Sequence, residues 1–480
     1  MTITFKHGLI CLLVPVLIAC SCAKGNSDKK GGDGNKTAYE GEVETYQYYA
    51  GLAPSMKFYV TVNGEQQFVY PTSEQHLCAF GCEGKVTVEI DSPSAKITEA
   101  IVRPIAKNPD YVLENGKITL KMSPKDRFVV EINGEWDETL LIFANPIDSL
   151  KPDKNDPNVI FFEAGKVHSS GIISPEDGQT VYFEGGALVN GRVLCQNKKH
   201  VTFAGAGMLN CTPGTERAFT LDTCDSVLVK DLIVLNTSNY GIVFRETDHV
   251  LADNVKTYGE ASQLTATGVE NDSFDLHGCR YITHKHCFSY CHDDTYCIKT
   301  RKWTYDRSTT DIVYEDCIGW NIQGGNTFEI GWECGRDVTN VTYKDIYSVH
   351  TSVHSGSVAY MNGGSTIHQA DGGVISNISY ENVYLEDIFR FGLYFIVREN
   401  KGPSVSIGND AVWSPGAIKN VKMKNVHLAY MPPCGNCAKG LDKDHSVEVE
   451  IDGLYIGDKR ITSLSDANFS VGPYAKVTLK

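Results

Sequence analysis

The sequence predicts an all-β protein: a right-handed parallel β-helix preceded by an N-terminal β-sandwich domain. Two observations carry the prediction. A short strand-and-turn unit recurs through the later part of the chain, and Asn-Gly turns separate alternating strands in the earlier part. The 480 residues, 42% hydrophobic and 21% charged, are enough for a sizeable core and more than one domain.

The elements follow in chain order. Residues 1–19 have the layout of a secretory signal: a polar and basic start, then an apolar run from Leu9 to Ala19 too short to span a membrane. The run ends in Leu17-Ile18-Ala19-Cys20, which resembles the lipobox of bacterial lipoproteins. That resemblance implies cleavage before Cys20, a lipid anchor on Cys20, and a location on the cell envelope. Residues 20–38 are rich in Gly, Asn, Asp and Lys and read as a flexible tether. Residues 39–155 show alternating runs broken by Asn63-Gly64 and Asn133-Gly134, which predict hairpins in an antiparallel sandwich.

Residues 156–480 carry the repeat. Its unit is an apolar or β-branched residue, a few alternating residues, an Asp or Asn (once His), then another apolar residue. It appears as Val227-Leu228-Val229-Lys230-Asp231-Leu232, Ile282-Thr283-His284-Lys285-His286-Cys287, Ile312-Val313-Tyr314-Glu315-Asp316-Cys317 and Ile378-Ser379-Tyr380-Glu381-Asn382-Val383. Units at roughly 23 to 43 residue intervals, with little amphipathic helix, suit a solenoid in which each coil buries its apolar face on the next. Like residues should then form ladders, with Cys287 above Cys317. The end coils need covering, and the sandwich or the strands of residues 446–480 are expected to do it.

A net charge of −15 argues against a large basic surface, and so against nucleic acid as a partner. Export would permit disulfides, and Cys78/Cys82 and Cys434/Cys437 are near enough in sequence to pair locally. His277, Cys279, His284, His286, Cys287, Cys291 and Cys297 invite a zinc reading. Their spacing matches no compact zinc motif and alternation would scatter them, so no metal or cofactor is expected.

Chemistry concentrates in two segments, Asn271-Asp272-Ser273-Phe274-Asp275 and Cys291-His292-Asp293-Asp294-Thr295-Tyr296-Cys297-Ile298-Lys299, one coil apart. Crowded carboxylates raise at least one pKa, which yields a protonated acid beside an ionised base near neutral pH. Inverting glycoside hydrolysis uses that pair: one group protonates the leaving oxygen, the other activates water on the opposite face of the sugar. Asp293 and Asp294 can both face a cleft only at a turn or bulge. A bland reading competes, because Asp and Asn cap coil turns in any β-helix, as Asp231, Asp316 and Asp345 are expected to do.

Asp272, Asp293 and Asp294 resemble the three catalytic aspartates of the polygalacturonases, family 28 of the glycoside hydrolases. Gly325-Asn326-Thr327 stands where that family carries Gly-His-Gly, and the Arg-Ile-Lys that would bind a uronate has no match after it. The stretch from Asp293 to Trp332 is more similar to the dextranase and isopullulanase family, family 49, which shares the β-helix and adds an N-terminal sandwich. The resemblance implies Asp293 as general acid, with Asp272 and Asp294 positioning and deprotonating water. It implies a polysaccharide substrate, a neutral dextran-like α-glucan ahead of a pectin. Alternatives are a β-helix polysaccharide lyase and a non-catalytic glycan-binding lipoprotein. Trp320 and Trp332, with Trp303 and Trp413 behind them, are candidates to stack on sugar faces. Asn326, Glu329 and Lys299 are candidates to contact hydroxyls.

Overall fold

The computed structural model describes residues 40–148, 150–211, 217–236, 240–259, 271–300, 307–351, 363–399 and 415–480. Cys20, the signal segment, the tether, Trp303 and Trp413 lie outside them.

From Val159 to the C-terminus the chain winds as a parallel β-helix of three sheets. One coil shows the plan: Asp272–His277 in the first sheet, Arg280–Lys285 in the second, Phe288–Cys291 in the third, then Tyr296–Thr300 back in the first. The next coil registers on it, with Phe274 opposite Tyr296, Ile282 opposite Ile312 and Phe288 opposite Ile318.

The polar residue of the repeat has a backbone explanation. Asp231, Asn254, His286, Asp316, Asp345, Asn382 and Asn425 all have φ between 50° and 65° and turn the chain from the second sheet into the third. Asn and Asp tolerate this left-handed region better than other side chains. Their side chains also ladder: Asn382 Nδ2 donates to Asp345 Oδ1 and Asn425 Nδ2 to Asn382 Oδ1, each at 2.7 Å. The expected capping role of Asp231, Asp316 and Asp345 is therefore what the fold uses them for.

Apolar ladders fill the solenoid. Phe274, Tyr296 and Phe328 stack at 5.1 and 5.2 Å, and Tyr314, Tyr343 and Tyr380 at 4.9 and 4.7 Å. Cys287 and Cys317 occupy equivalent buried places, as expected.

The N-terminal region forms two sheets around a separate core that includes Val60, Phe80, Val88, Leu120 and Ile142. Both Asn-Gly hairpins form, pairing Val62 with Glu65 and Ile132 with Glu135. The sandwich is not wholly antiparallel, since Glu135–Pro146 runs parallel to His76–Glu83. Nor does it cap an end coil. Leu77, Leu141 and Phe143 of its outer face pack on Phe288, Tyr290, Ile318 and Trp320 from the outer side of the third sheet. This is why third-sheet strands such as Ile318–Asn321 carry large apolar side chains on their outer face.

Buried charge also ties sandwich to helix. Arg103 reaches Glu131 at 2.7 Å and Glu386 at 2.9 Å, and His350 Nε2 lies 2.6 Å from Glu131. At the other end of the chain, Ala475–Leu479 pairs with Val447–Ile456, and Ile461, Leu464, Ala467 and Phe469 of the same segment pack against the solenoid core.

Every described cysteine is a free thiol, which corrects the two local pairings. Cys78 and Cys82 lie on one extended strand, His76–Glu83, where a four-residue step spans about 13 Å, beyond disulfide reach.

Candidate active site

The site is built where the chain leaves the third sheet and enters the first. Tyr240, Asp272, Asp294, Asn326 and Gly363 occupy equivalent positions in successive coils. The amide of Ser273 bonds Asp294 O at 2.8 Å and that of Thr295 bonds Asn326 O at 2.9 Å, which holds these corners in register. Asp272 thus aligns with Asp294, while Asp293 sits one residue back in the same turn. That turn is the irregularity needed for both aspartates to face one side, and strand Tyr296–Thr300 begins just after it.

Gly325 makes the packing of two turns possible. Its φ is +65°, and a Cβ there would lie 2.5 Å from Asp293 Oδ1 and 2.4 Å from the Asp294 amide. Any side chain would drive the turns apart. Asn321 Nδ2 donates to the Asp293 carbonyl, and the Asp294 amide donates to Asp293 Oδ1 at 3.0 Å.

One oxygen from each of Asp272, Asp293 and Asp294 lies within 4.8 Å of the others. Asp272 and Asp294 are screened from solvent and Asp293 is half-buried. Burial pushes the Asp293 carboxyl well above its ordinary range, and the charges of Asp272 and Asp294 push it further. Asp294 is raised by burial and then by Glu329, and Asp272 by burial against the pull of Lys299. Lys299 Nζ sits 2.9 Å from Asp272, 3.7 Å from Asp294 and 4.0 Å from Glu333. Burial works against its charge, but Asp272 first, then Cys297, Glu333 and Asp275, hold it well above the ordinary lysine value. Asp293 raised well above its ordinary range, beside an Asp272 that Lys299 pulls down, is the kind of pair from which acid and base chemistry can be built.

The other expected site residues fall into three groups. Asn326 and Glu329 support the acids instead of reaching solvent. The Asn326 amide donates to Asp294 Oδ1 at 2.8 Å, its Nδ2 to Glu329 Oε2 at 2.6 Å, and its Oδ1 accepts from Gly363 at 2.9 Å. Glu329 is fully buried, and its second oxygen takes His368 Nδ1 at 2.7 Å, so neither residue is placed to hold a hydroxyl. Lys299 likewise serves carboxylates.

Trp332 is half-buried, with the Arg398 guanidinium 3.6 Å from its ring centre and the His368 ring edge-to-face at 6.0 Å. Trp320 is withdrawn from the substrate set. It is wholly buried between sandwich and third sheet, with Tyr290 edge-on at 5.0 Å. Sequence reasoning missed His368 and Arg398. The signal was alternation: Ile367 faces the core, which turns His368 outward, one coil beyond Glu329.

Asp294, Cys297 and Glu329 also offer three atoms within 4.8 Å of one another. Their oxygens and sulfur already serve Asn326, His368 and each other, which accounts for the cluster without an ion.

Three carboxylates and a lysine gathered on the outside of a parallel β-helix define a glycoside hydrolase of the β-helix class. Residues 164–430, more than half of the chain, match the family described as Glycosyl hydrolases family 28. The chain belongs to that family.

Among solved structures, Dex49A from Penicillium minioluteum is similar over 91% of this chain and 96% of its own, at 13% identity and a TM-score of 0.58. The sandwich-plus-helix build is therefore shared, as expected from the dextranase resemblance. A polygalacturonase from Erwinia carotovora ssp. carotovora matches over 65% of this chain and 85% of its own, at 14% identity and a TM-score of 0.46. An exopolygalacturonase from Thermotoga maritima matches over 65% and 81%, at 12% identity and a TM-score of 0.45. No curated protein sequence matches the chain.

Proposed function

We propose that the protein hydrolyses an extracellular polysaccharide with inversion, and that the substrate is a neutral, dextran-like α-glucan. The observation that carries the hydrolytic reading is the cluster of Asp272, Asp293 and Asp294 beside Lys299. Asp293, held protonated, donates to the glycosidic oxygen. Asp272 and Asp294 hold a water between them, and the base of the pair takes its proton as the anomeric carbon is attacked. The anomeric centre gains the water oxygen and loses the leaving alcohol, so one bond is exchanged and the proton count closes.

The neutral substrate is supported by the coil after Asn326. Its strand Gly363–Gln369 carries no exposed cation: Thr366 and His368 are both buried, and the His368 pKa is lowered to about 3 mainly by burial and next by Arg398. The Lys299 charge is spent on the acids. Arg398 over Trp332 favours a second reading, a uronate-containing glycan, because a guanidinium can pair with a carboxylate.

Reducing-end release from dextran, pullulan, polygalacturonate and arabinogalactan separates the two. Release from dextran or pullulan alone is expected, and release from polygalacturonate alone would replace the neutral reading. Proton NMR of the first-formed anomer tests inversion. The carboxylates lie closer than the 6.5–9.5 Å usual for an inverting pair, so a retained anomer would assign a carboxylate nucleophile instead.

We also propose that the mature chain is lipid-anchored through Cys20 to the cell envelope, on the strength of the Leu17 to Cys20 sequence. The Cys20→Ala variant should move from the membrane to the soluble fraction on cell fractionation. Continued membrane association would exclude the anchor.

A further inference from the structure

A second recess lies against the catalytic turns. It is a cleft of about 360 Å³ lined by Glu74, Trp136 and Asp137 of the sandwich and by Tyr290, His292 and Gln323 of the solenoid. His292 is the chain neighbour of Asp293, and its amide is held by Asn271 Oδ1 at 2.7 Å. Gln323 precedes Gly324, whose amide bonds His292 O at 2.8 Å, and Gly325, which abuts Asp293. The cleft and the catalytic acid therefore share the same two turns.

The lining is polar in a specific way. His292 is only 5% exposed; its Nε2 lies 3.0 Å from Glu74 Oε2, and Tyr290 donates to the same oxygen at 2.6 Å. The other ring nitrogen of His292, Nδ1, is buried and has no hydrogen-bond partner. A buried polar atom of this kind carries a cost unless a partner arrives. Trp136 is half-buried, and Asp137 is exposed beside it.

We propose that the sandwich supplies a sugar-binding subsite of the cleft, in which Trp136 stacks on a pyranose while Glu74, Asp137 and His292 Nδ1 hydrogen-bond its hydroxyls. Two carboxylates accept hydroxyl donors well and repel a uronate carboxylate, so the unit bound here is a neutral sugar. The proposal rests on the hydrolase reading for its substrate. It makes the N-terminal domain part of the recognition surface, which a solenoid alone would lack.

The test is affinity electrophoresis of the full chain through gels containing dextran, pullulan, polygalacturonate or arabinogalactan. It uses Asp293→Asn as the background so that the glycan is not consumed. Retardation by a neutral glycan is expected, with the apparent dissociation constant raised about tenfold by adding Trp136→Ala and several-fold by adding Asp137→Ala, an exposed position where folding is not at stake. Equal retardation in both double variants would overturn the subsite while leaving hydrolysis intact, and retardation by polygalacturonate alone would overturn its neutral specificity. Retardation by none of the four would also overturn it, whereas reducing-end release by the unsubstituted protein judges the hydrolase reading separately.

Discussion

Asp293→Asn is expected to lower kcat by about 10²–10⁴-fold with little change in KM, because it removes the one proton the leaving oxygen needs. The amide keeps the size of the carboxyl and removes a like charge from a crowded buried site, so the fold should survive. The pH profile gives an independent reading. On the proposed mechanism Asp293 works in its protonated form, and burial with two neighbouring carboxylates holds its pKa well above the ordinary range. Activity should therefore extend above the pH at which an exposed carboxyl would already be ionised, then fall as pH rises through the Asp293 value. The variant should lose that alkaline limb. Reducing-end release across pH measures both effects, and a variant keeping more than a tenth of the parent rate would remove Asp293 from the role of acid.

Lys299→Met should destabilise the protein by about 3–5 kcal/mol, the usual range when one partner of a buried ion pair is removed and the other is left uncompensated. Lys299 lies 2.9 Å from Asp272 and its side chain is 7% exposed, so solvent screens little of the pairing. The sign of the pH effect follows from the same contacts. Lys299 pulls the carboxyls of Asp272 and Asp294 down against burial. Without it both rise further, and the base stays protonated to higher pH. The acidic limb of the rate profile should move upward while the alkaline limb, set by Asp293, moves less. Urea denaturation and a pH–rate profile test this together, and unchanged stability would mean that the cluster is neutralised some other way.

The solenoid was legible because its unit is local. An Asp or Asn between two apolar residues reports a left-handed corner, and stacking turns one such corner into a ladder. The Asn-Gly hairpins were legible for the same reason. The three aspartates could be read from their crowding, and the turn that aims Asp293 and Asp294 together follows from strand alternation.

Other features were not local. Trp320 reads in the sequence like any exposed aromatic near the acids. Only the docking of Leu77, Leu141 and Phe143 on the third sheet buries it. Asn326 and Glu329 are polar residues beside a catalytic motif, and whether they meet substrate or brace Asp294 depends on His368 and Gly363, about 40 residues on. Cys78 and Cys82 are close in sequence and far apart in an extended strand.

By itself the sequence determined the coil, its corners and the carboxylates that crowd where one coil stacks on the next, because each depends on a few neighbouring residues and one repeated step. Only the tertiary structure decided which side chains face the cleft and that the sandwich forms one wall of it. Those outcomes depend on which surfaces exclude water from each other across long stretches of chain.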